Sequence, residues 1–142
     1  MNKSEVNKKI VKVLNKMGYM PEIDEDQDVR LMYQMKTLFV LVRTSEEDVP
    51  PMVYITMGKI YEVDESDKNE KTGALIVCNE LTREKALTNV TIDLKYGFVN
   101  AICQFLYTGE KALEQFFDCA FSSDELGNVS SEFQRRMNSL SE

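Results

Sequence analysis

Val29-Arg30-Leu31-Met32-Tyr33-Gln34-Met35-Lys36-Thr37-Leu38-Phe39-Val40-Leu41-Val42 is the stretch on which the fold turns. Val29, Leu31, Tyr33 and Met35 alternate with Arg30, Met32, Gln34 and Lys36. A period of two sends successive side chains to opposite faces, which marks a half-buried strand. Leu38, Val40 and Val42 continue as a second strand, with Phe39 and Leu41 on its other face. Residues 45–51 form a polar connection ending in Pro50-Pro51, a pair that strand interiors exclude. Residues 52–57 read as a third strand with Val53, Ile55 and Met57 on one side. Gly58 marks a bulge or bend, after which 60–63 extend the strand. Parallel pairs need long crossovers, so three strands joined by short loops predict an antiparallel meander.

Upstream lies an amphipathic helix. Val6, Ile10, Val13, Leu14 and Met17 fall on one helical stripe. Asn2 and Glu5 have capping-box spacing, Gly18 supplies the stop and Pro21 follows it. Lys3, Lys8, Lys9, Lys12 and Lys16 lie away from the stripe and read as a solvated face. An acidic stretch, 22–28, leads into the meander.

Downstream, a charged loop over 64–71 feeds a helix over 73–85. Ala74, Val77, Cys78 and Leu81 line its apolar face, widened by Leu75 and Ile76. Val90, Ile92 and Leu94 then alternate with polar neighbours as a fourth strand, and Tyr96-Gly97 reads as a turn. Residues 98–107 are apolar almost throughout. A strand buried on both faces and a buried helix both fit, and the β-rich surroundings favour a strand. The C-terminal part is helical: either one long helix bent near Gly127, or two helices with Ser122 or Ser123 capping the second. The expected architecture is a single α+β domain over 1–142: helix, three-stranded antiparallel meander, helix, two strands, long C-terminal helix.

The chain has 142 residues, enough for one core without disulfides or metal. Apolar residues make up 43% and charged residues 29%, close to globular averages, which argues against disorder. A formal net charge of −7 argues against nucleic acid and against an anionic membrane surface as partners. No apolar run approaches the ~18 residues that span a bilayer. The opening MNKSEVNKK has no apolar signal region behind it, and the expected location is the cytoplasm. Cys78, Cys103 and Cys119 form no CxxC and each sits in an apolar stretch, so all three read as reduced core residues.

The chain contains no histidine. That removes Ser-His-Asp and Cys-His catalysis and the usual His-containing zinc sites. Neither a Walker GxxxxGK[ST] nor a GxGxxG occurs. Asp24, Asp26 and Asp28 have a DxDxD look, but Val29 and Met35 stand where a calcium loop needs Gly and Glu. A solvated loop is the better reading there. Glu62, Asp64, Glu65 and Asp67 likewise read as a charged connection before they read as a loose cation site. Cys78 has Lys71 and Arg83 nearby, yet its apolar neighbours favour a buried, inert thiol. The expectation is a non-enzyme with no cofactor, no metal and no catalytic residues.

One feature points to binding. Met32, Phe39, Leu41 and Tyr54 are bulky apolar residues on the face of the meander opposite its main alternation. A sheet with helices on one side is expected to show polar residues on the other. Either helices or loops cover this second face, or it is a homodimer or partner surface. Eight methionines suit an adaptable surface of that kind.

The segment Ala74-Leu75-Ile76-Val77-Cys78-Asn79-Glu80-Leu81-Thr82, then Lys85-Ala86-Leu87 and the strand Val90-Thr91-Ile92-Asp93-Leu94, resembles the type III secretion chaperone-like fold. Within that group it is similar to the YbjN-type bacterial domain, with Thr82 where a second Asn often stands. The resemblance implies a compact α+β sandwich, a tendency to dimerise and chaperone-like protein binding without catalysis. It transfers no site residue.

The leading expectation is therefore a non-catalytic, dimeric, chaperone-like or adaptor protein. Its partner is a protein, an extended peptide added to a sheet edge, or a second copy of itself. The alternative is a small-molecule or ion-binding regulatory domain with a pocket between sheet and helices.

Overall fold

The computed structural model describes residues 1–46 and 48–141. Glu47, inside the predicted 45–51 connection, lies outside the described residues. The elements run α1 (Lys3–Lys16), β1 (Glu22–Ile23), β2 (Val29–Tyr33), β3 (Lys36–Arg43), β4 (Met52–Glu62), α2 (Lys68–Glu84), β5 (Thr88–Asp93), β6 (Phe98–Leu106), α3 (Glu110–Ala120) and α4 (Val129–Leu140), with a 3-10 turn at Leu126–Asn128 before α4. The fold is α+β, with an antiparallel six-stranded sheet in the order β1-β2-β3-β4-β6-β5. The chain gathers into two compact units, interleaved along the sequence: Met1–Thr56 with Gln104–Cys119, and Met57–Cys103 with the segment from Ala120 onward.

In the first unit, α1 forms where its stripe predicts. The Glu5 N–H donates to Asn2 Oδ1 at 2.9 Å, closing the N-terminus, and Gly18 takes φ +95° just past the end. Val6, Ile10, Val13 and Leu14 are buried, and α1 lies against β2 and β3. Those strands bury Val29, Leu31, Leu38, Val40 and Val42 on the same side. α3 packs there too, with Phe116 stacked on Phe105 of β6 at 4.7 Å between ring centroids.

The lysine face of α1 is more than solvated. Lys9 and Lys12 both bond Glu110 of α3, at 2.8 and 3.1 Å, Lys16 bonds Glu114 at 3.2 Å, and Lys3 bonds Asp28 at 2.8 Å. Charge of opposite sign on α3 turns a surface face into a helix-helix seam.

Two local readings of this unit differ from the structure. β1 is a two-residue strand inside the predicted acidic stretch, pairing Glu22 with Arg30 and Ile23 with Val29. Asp24 then accepts from the N–H groups of Asp26 and Asp28 at 2.9 Å each, so the DxDxD stretch is a self-bonded hairpin loop. The β2–β3 alternation is broken at Gln34 and Met35, which take φ +51° and +65°. That is a two-residue hairpin turn, and it leaves Met35 94% exposed where the alternation placed it with the core.

In the second unit, β4 bulges at Lys59, φ +55°, one residue past Gly58. α2 begins earlier than predicted because Asp67 caps it, accepting from the N–H groups of Asn69 and Glu70 at 3.0 and 3.1 Å. Ala74, Val77, Cys78 and Leu81 are buried as expected, but Leu75 and Ile76 are exposed. Residues 98–106 are a strand, paired with β5 from Thr88↔Cys103 to Asp93↔Phe98. The turn between them needs Gly97: at φ +72° a Cβ would stand 2.7 Å from the Val63 carbonyl oxygen. The helical C-terminal region resolves into α3 and α4, and neither Ser122 nor Ser123 caps α4, whose N-cap is Asn128.

Candidate functional site

The outward face of the first unit is built by strand alternation alone. Along β2, β3 and the start of β4 each inward residue but the half-buried Lys36 is buried, and each outward residue is half-buried or exposed. The four residues singled out from sequence all lie outward on these three neighbouring strands. Met32 is 64% exposed, and Phe39, Leu41 and Tyr54 are half-buried against one another's strands. Cross-strand register sets Met32 opposite Thr37 and Arg30 opposite Phe39. The Arg43 guanidinium lies over the Tyr54 ring, 5.3 Å from its centroid. α1 packs against β2 and β3, and α3 against Phe105 of β6, on the other side, while no outward position of β2, β3 or the start of β4 is fully buried.

Met32 also lines a cleft of about 590 Å³ with Gly18, Tyr19, Met20, Glu22, Arg30, Leu31 and Thr37. The cleft opens where the chain leaves α1 and splays from β2 before β1 begins. Met20, which the sequence reading left out, stands 87% exposed at its rim. No periodic pattern singles it out, because it lies between elements.

The second unit holds a larger and more polar cleft, of about 720 Å³, between the α2–β5 turn and the start of α4. Its buried charged groups, Lys85 and Glu125, are engaged within the chain. Glu125 is 5% exposed. It accepts from the backbone N–H groups of Ala86, Leu87 and Thr88, at 3.2, 2.6 and 2.9 Å, and from the Thr88 hydroxyl at 3.1 Å. Lys85, its side chain 5% exposed, donates to the Asp124 carbonyl at 2.9 Å and lies 3.6 Å from Glu132. Arg136 bonds Glu80, Glu84 and Glu132, tying α4 to α2. This is a clamp between elements, with its donors and acceptors matched inside the chain.

The same clamp seals a sheet edge. On β5 the Thr88 N–H is held by Glu125, and Thr82 Oγ1 both accepts from the Val90 N–H at 2.8 Å and donates to the Val90 carbonyl at 3.2 Å. Side chains thus occupy the backbone groups that an added strand would use.

The cysteines separate into two kinds. Cys78 and Cys103 are buried, and burial pushes each thiol up from 9.0 to about 11, as befits inert core sulfur. Cys119 is exposed near the end of α3, against the expectation that all three are core. Among the described residues no group of three Cys, Asp or Glu side chains is placed to hold a metal ion, and no helix is long and apolar enough to cross a membrane. Comparison of the chain with protein families, with curated proteins and with solved structures finds no match.

Proposed function

We propose that this chain is a non-catalytic protein-binding module, adaptor-like or chaperone-like, and that its partner docks on the outward sheet face of the first unit. One observation carries the reading: Met32, Phe39, Leu41 and Tyr54 share a sheet face on which no outward position of β2, β3 or the start of β4 is fully buried. Fully burying a side chain of this size is worth roughly 1.5–3 kcal/mol. Half-buried as three of them are, each still has on the order of 1 kcal/mol to gain from a covering surface. The similarity of the 74–94 region to secretion chaperone-like domains, small and acidic proteins that bind other proteins, points the same way. The polar cleft of the second unit supports the small-molecule alternative poorly, since its buried charges are spent on each other.

The test is the double substitution Phe39→Glu, Leu41→Lys, followed by circular dichroism, sedimentation and affinity capture. A folded variant that loses a partner, or a dimer, that the native chain retains supports the reading. Unfolding would place the face in the core, and a folded variant with unchanged mass and partners would refute the proposal.

A further inference from the structure

Resting on that reading, we infer that the occupant of the outward face is an acidic amphipathic helix of another protein, and not a second copy of this chain. The chain carries 24 Asp and Glu against 17 Lys and Arg. Yet among the outward positions of β2, β3 and β4 in this unit the charged residues are Arg30 and Arg43, and the carboxylate beside them among the described strand residues is Glu22 of β1, opposite Arg30. They stand among the apolar residues: Arg30 is directly opposite Phe39, and Arg43 follows Leu41 by two residues.

Neither guanidinium is strongly committed. Arg30 meets Glu22 at 3.2 Å, but both side chains are at least half exposed, and such pairs exchange at little cost. Arg43 rests on Tyr54, and a planar guanidinium on a ring keeps its fork of N–H donors for a carboxylate.

A second copy fits this face poorly. Two-fold pairing sets a patch against itself, so Arg30 and Arg43 would meet the same two arginines, the same apolar residues and one carboxylate, Glu22, that Arg30 already engages. Like charges there oppose association, and a buried guanidinium without a counter-charge is costly. A partner with carboxylates beside an apolar stripe removes both objections.

The backbone of the occupant decides its conformation. An extended segment laid flat on apolar side chains would leave its own N–H and C=O groups without partners, whereas a helix satisfies them internally. Four residues along β3 separate positions 39 and 43, roughly 13 Å at strand rise. On a helix that distance corresponds to roughly nine residues.

The experiment uses three helical peptides with one shared Leu stripe, flanked at matched positions by Glu, Gln or Lys. Each is titrated by fluorescence anisotropy into the full chain at low salt. The Glu peptide is expected to bind roughly tenfold more tightly than the Gln peptide, an advantage that shrinks as salt is added, and the Lys peptide to bind more weakly than either. Arg30→Glu with Arg43→Glu should reverse that order. Arg30→Gln with Arg43→Gln, a milder change, should abolish the difference between peptides. Phe39→Glu with Leu41→Lys should lose all three peptides, which tests the docking face itself. Equal binding of the three peptides, or an order that survives the arginine changes, would overturn the inference while leaving the face standing. So would a dimer of the native chain that the Phe39 and Leu41 changes dissociate. No binding by any peptide would also overturn it.

Discussion

Replacing Glu125 by Ala tests the clamp that closes the β5 edge. The carboxylate is the acceptor for three successive backbone N–H groups and one hydroxyl. The Ala86 and Leu87 amides are partly buried, so water can replace the lost acceptor at about 1 kcal/mol each, the margin of a charge-assisted bond over an ordinary one. The Thr88 amide is buried and would be stranded at about 1–3 kcal/mol. Glu125→Ala should therefore cost about 3–5 kcal/mol in urea unfolding, with the slope unchanged. At roughly 2–4 °C per kcal/mol for a chain near this size, that is a Tm lower by about 10 °C. Glu125→Gln keeps an acceptor for Leu87 and Thr88 but turns an NH2 toward the Ala86 N–H, and should cost about 1–2 kcal/mol. Hydrogen exchange adds a local readout, because the Thr88 amide should lose protection in the Ala variant first. A cost below about 0.5 kcal/mol for Ala, or equal costs for Ala and Gln, would refute the hydrogen-bond reasoning.

Other outcomes follow from single features. Ile10→Ala should cost about 2–5 kcal/mol by denaturant unfolding, since Ile10 is fully buried under α1; a change under about 0.5 kcal/mol would mean that α1 is loosely held. A thiol reagent at pH 8 should label Cys119 in the folded chain and reach Cys78 and Cys103 only on unfolding, as mass spectrometry would show. Because burial raises Cys78 and Cys103 from 9.0 to about 11, the unfolded chain releases those protons first. Their contribution to stability is present below about pH 9 and is lost as pH rises toward 11, so Tm should fall across that window, less so in Cys103→Ala. Lys9 and Lys12 hold the Glu110 carboxyl below its ordinary value. Its contribution is present above the usual carboxylate range and is lost on acidification, and Glu110→Gln should remove that part of the acid sensitivity.

Much of the fold is legible because it rests on periodicity. The stripe from Val6 to Leu14 and the alternation through β2 and β3 each have one face buried, and a face that must be buried writes itself into the sequence. The outward set of Met32, Phe39, Leu41 and Tyr54 is legible by the same parity. What is not legible is what no period encodes. The hairpin at Gln34-Met35 has none of the Asn or Gly that ordinarily signals positive φ. β1 is too short to alternate. The start of α2 was signalled by Asp67 and Glu70, a capping spacing obscured by the charged residues around it. Glu125 is one acidic residue in a connection, and nothing in its neighbours says that three amides converge on it.

The treatment of edges bears on how the proposed partner would be held. Strand addition needs a row of backbone N–H and C=O groups facing out. On β5 those of Thr88 and Val90 are engaged by Glu125 and Thr82. On the first unit the edge strand β1 has two residues and follows Pro21, which has no N–H to give. At these positions the backbone therefore offers little to an incoming strand. The outward face of the first unit offers side chains instead: apolar residues with the guanidiniums of Arg30 and Arg43 among them. Docking on that face, as proposed, would select by the pattern of a partner's side chains, and an edge sealed at Thr88 and Val90 with a short β1 at the other disfavours indiscriminate strand pairing.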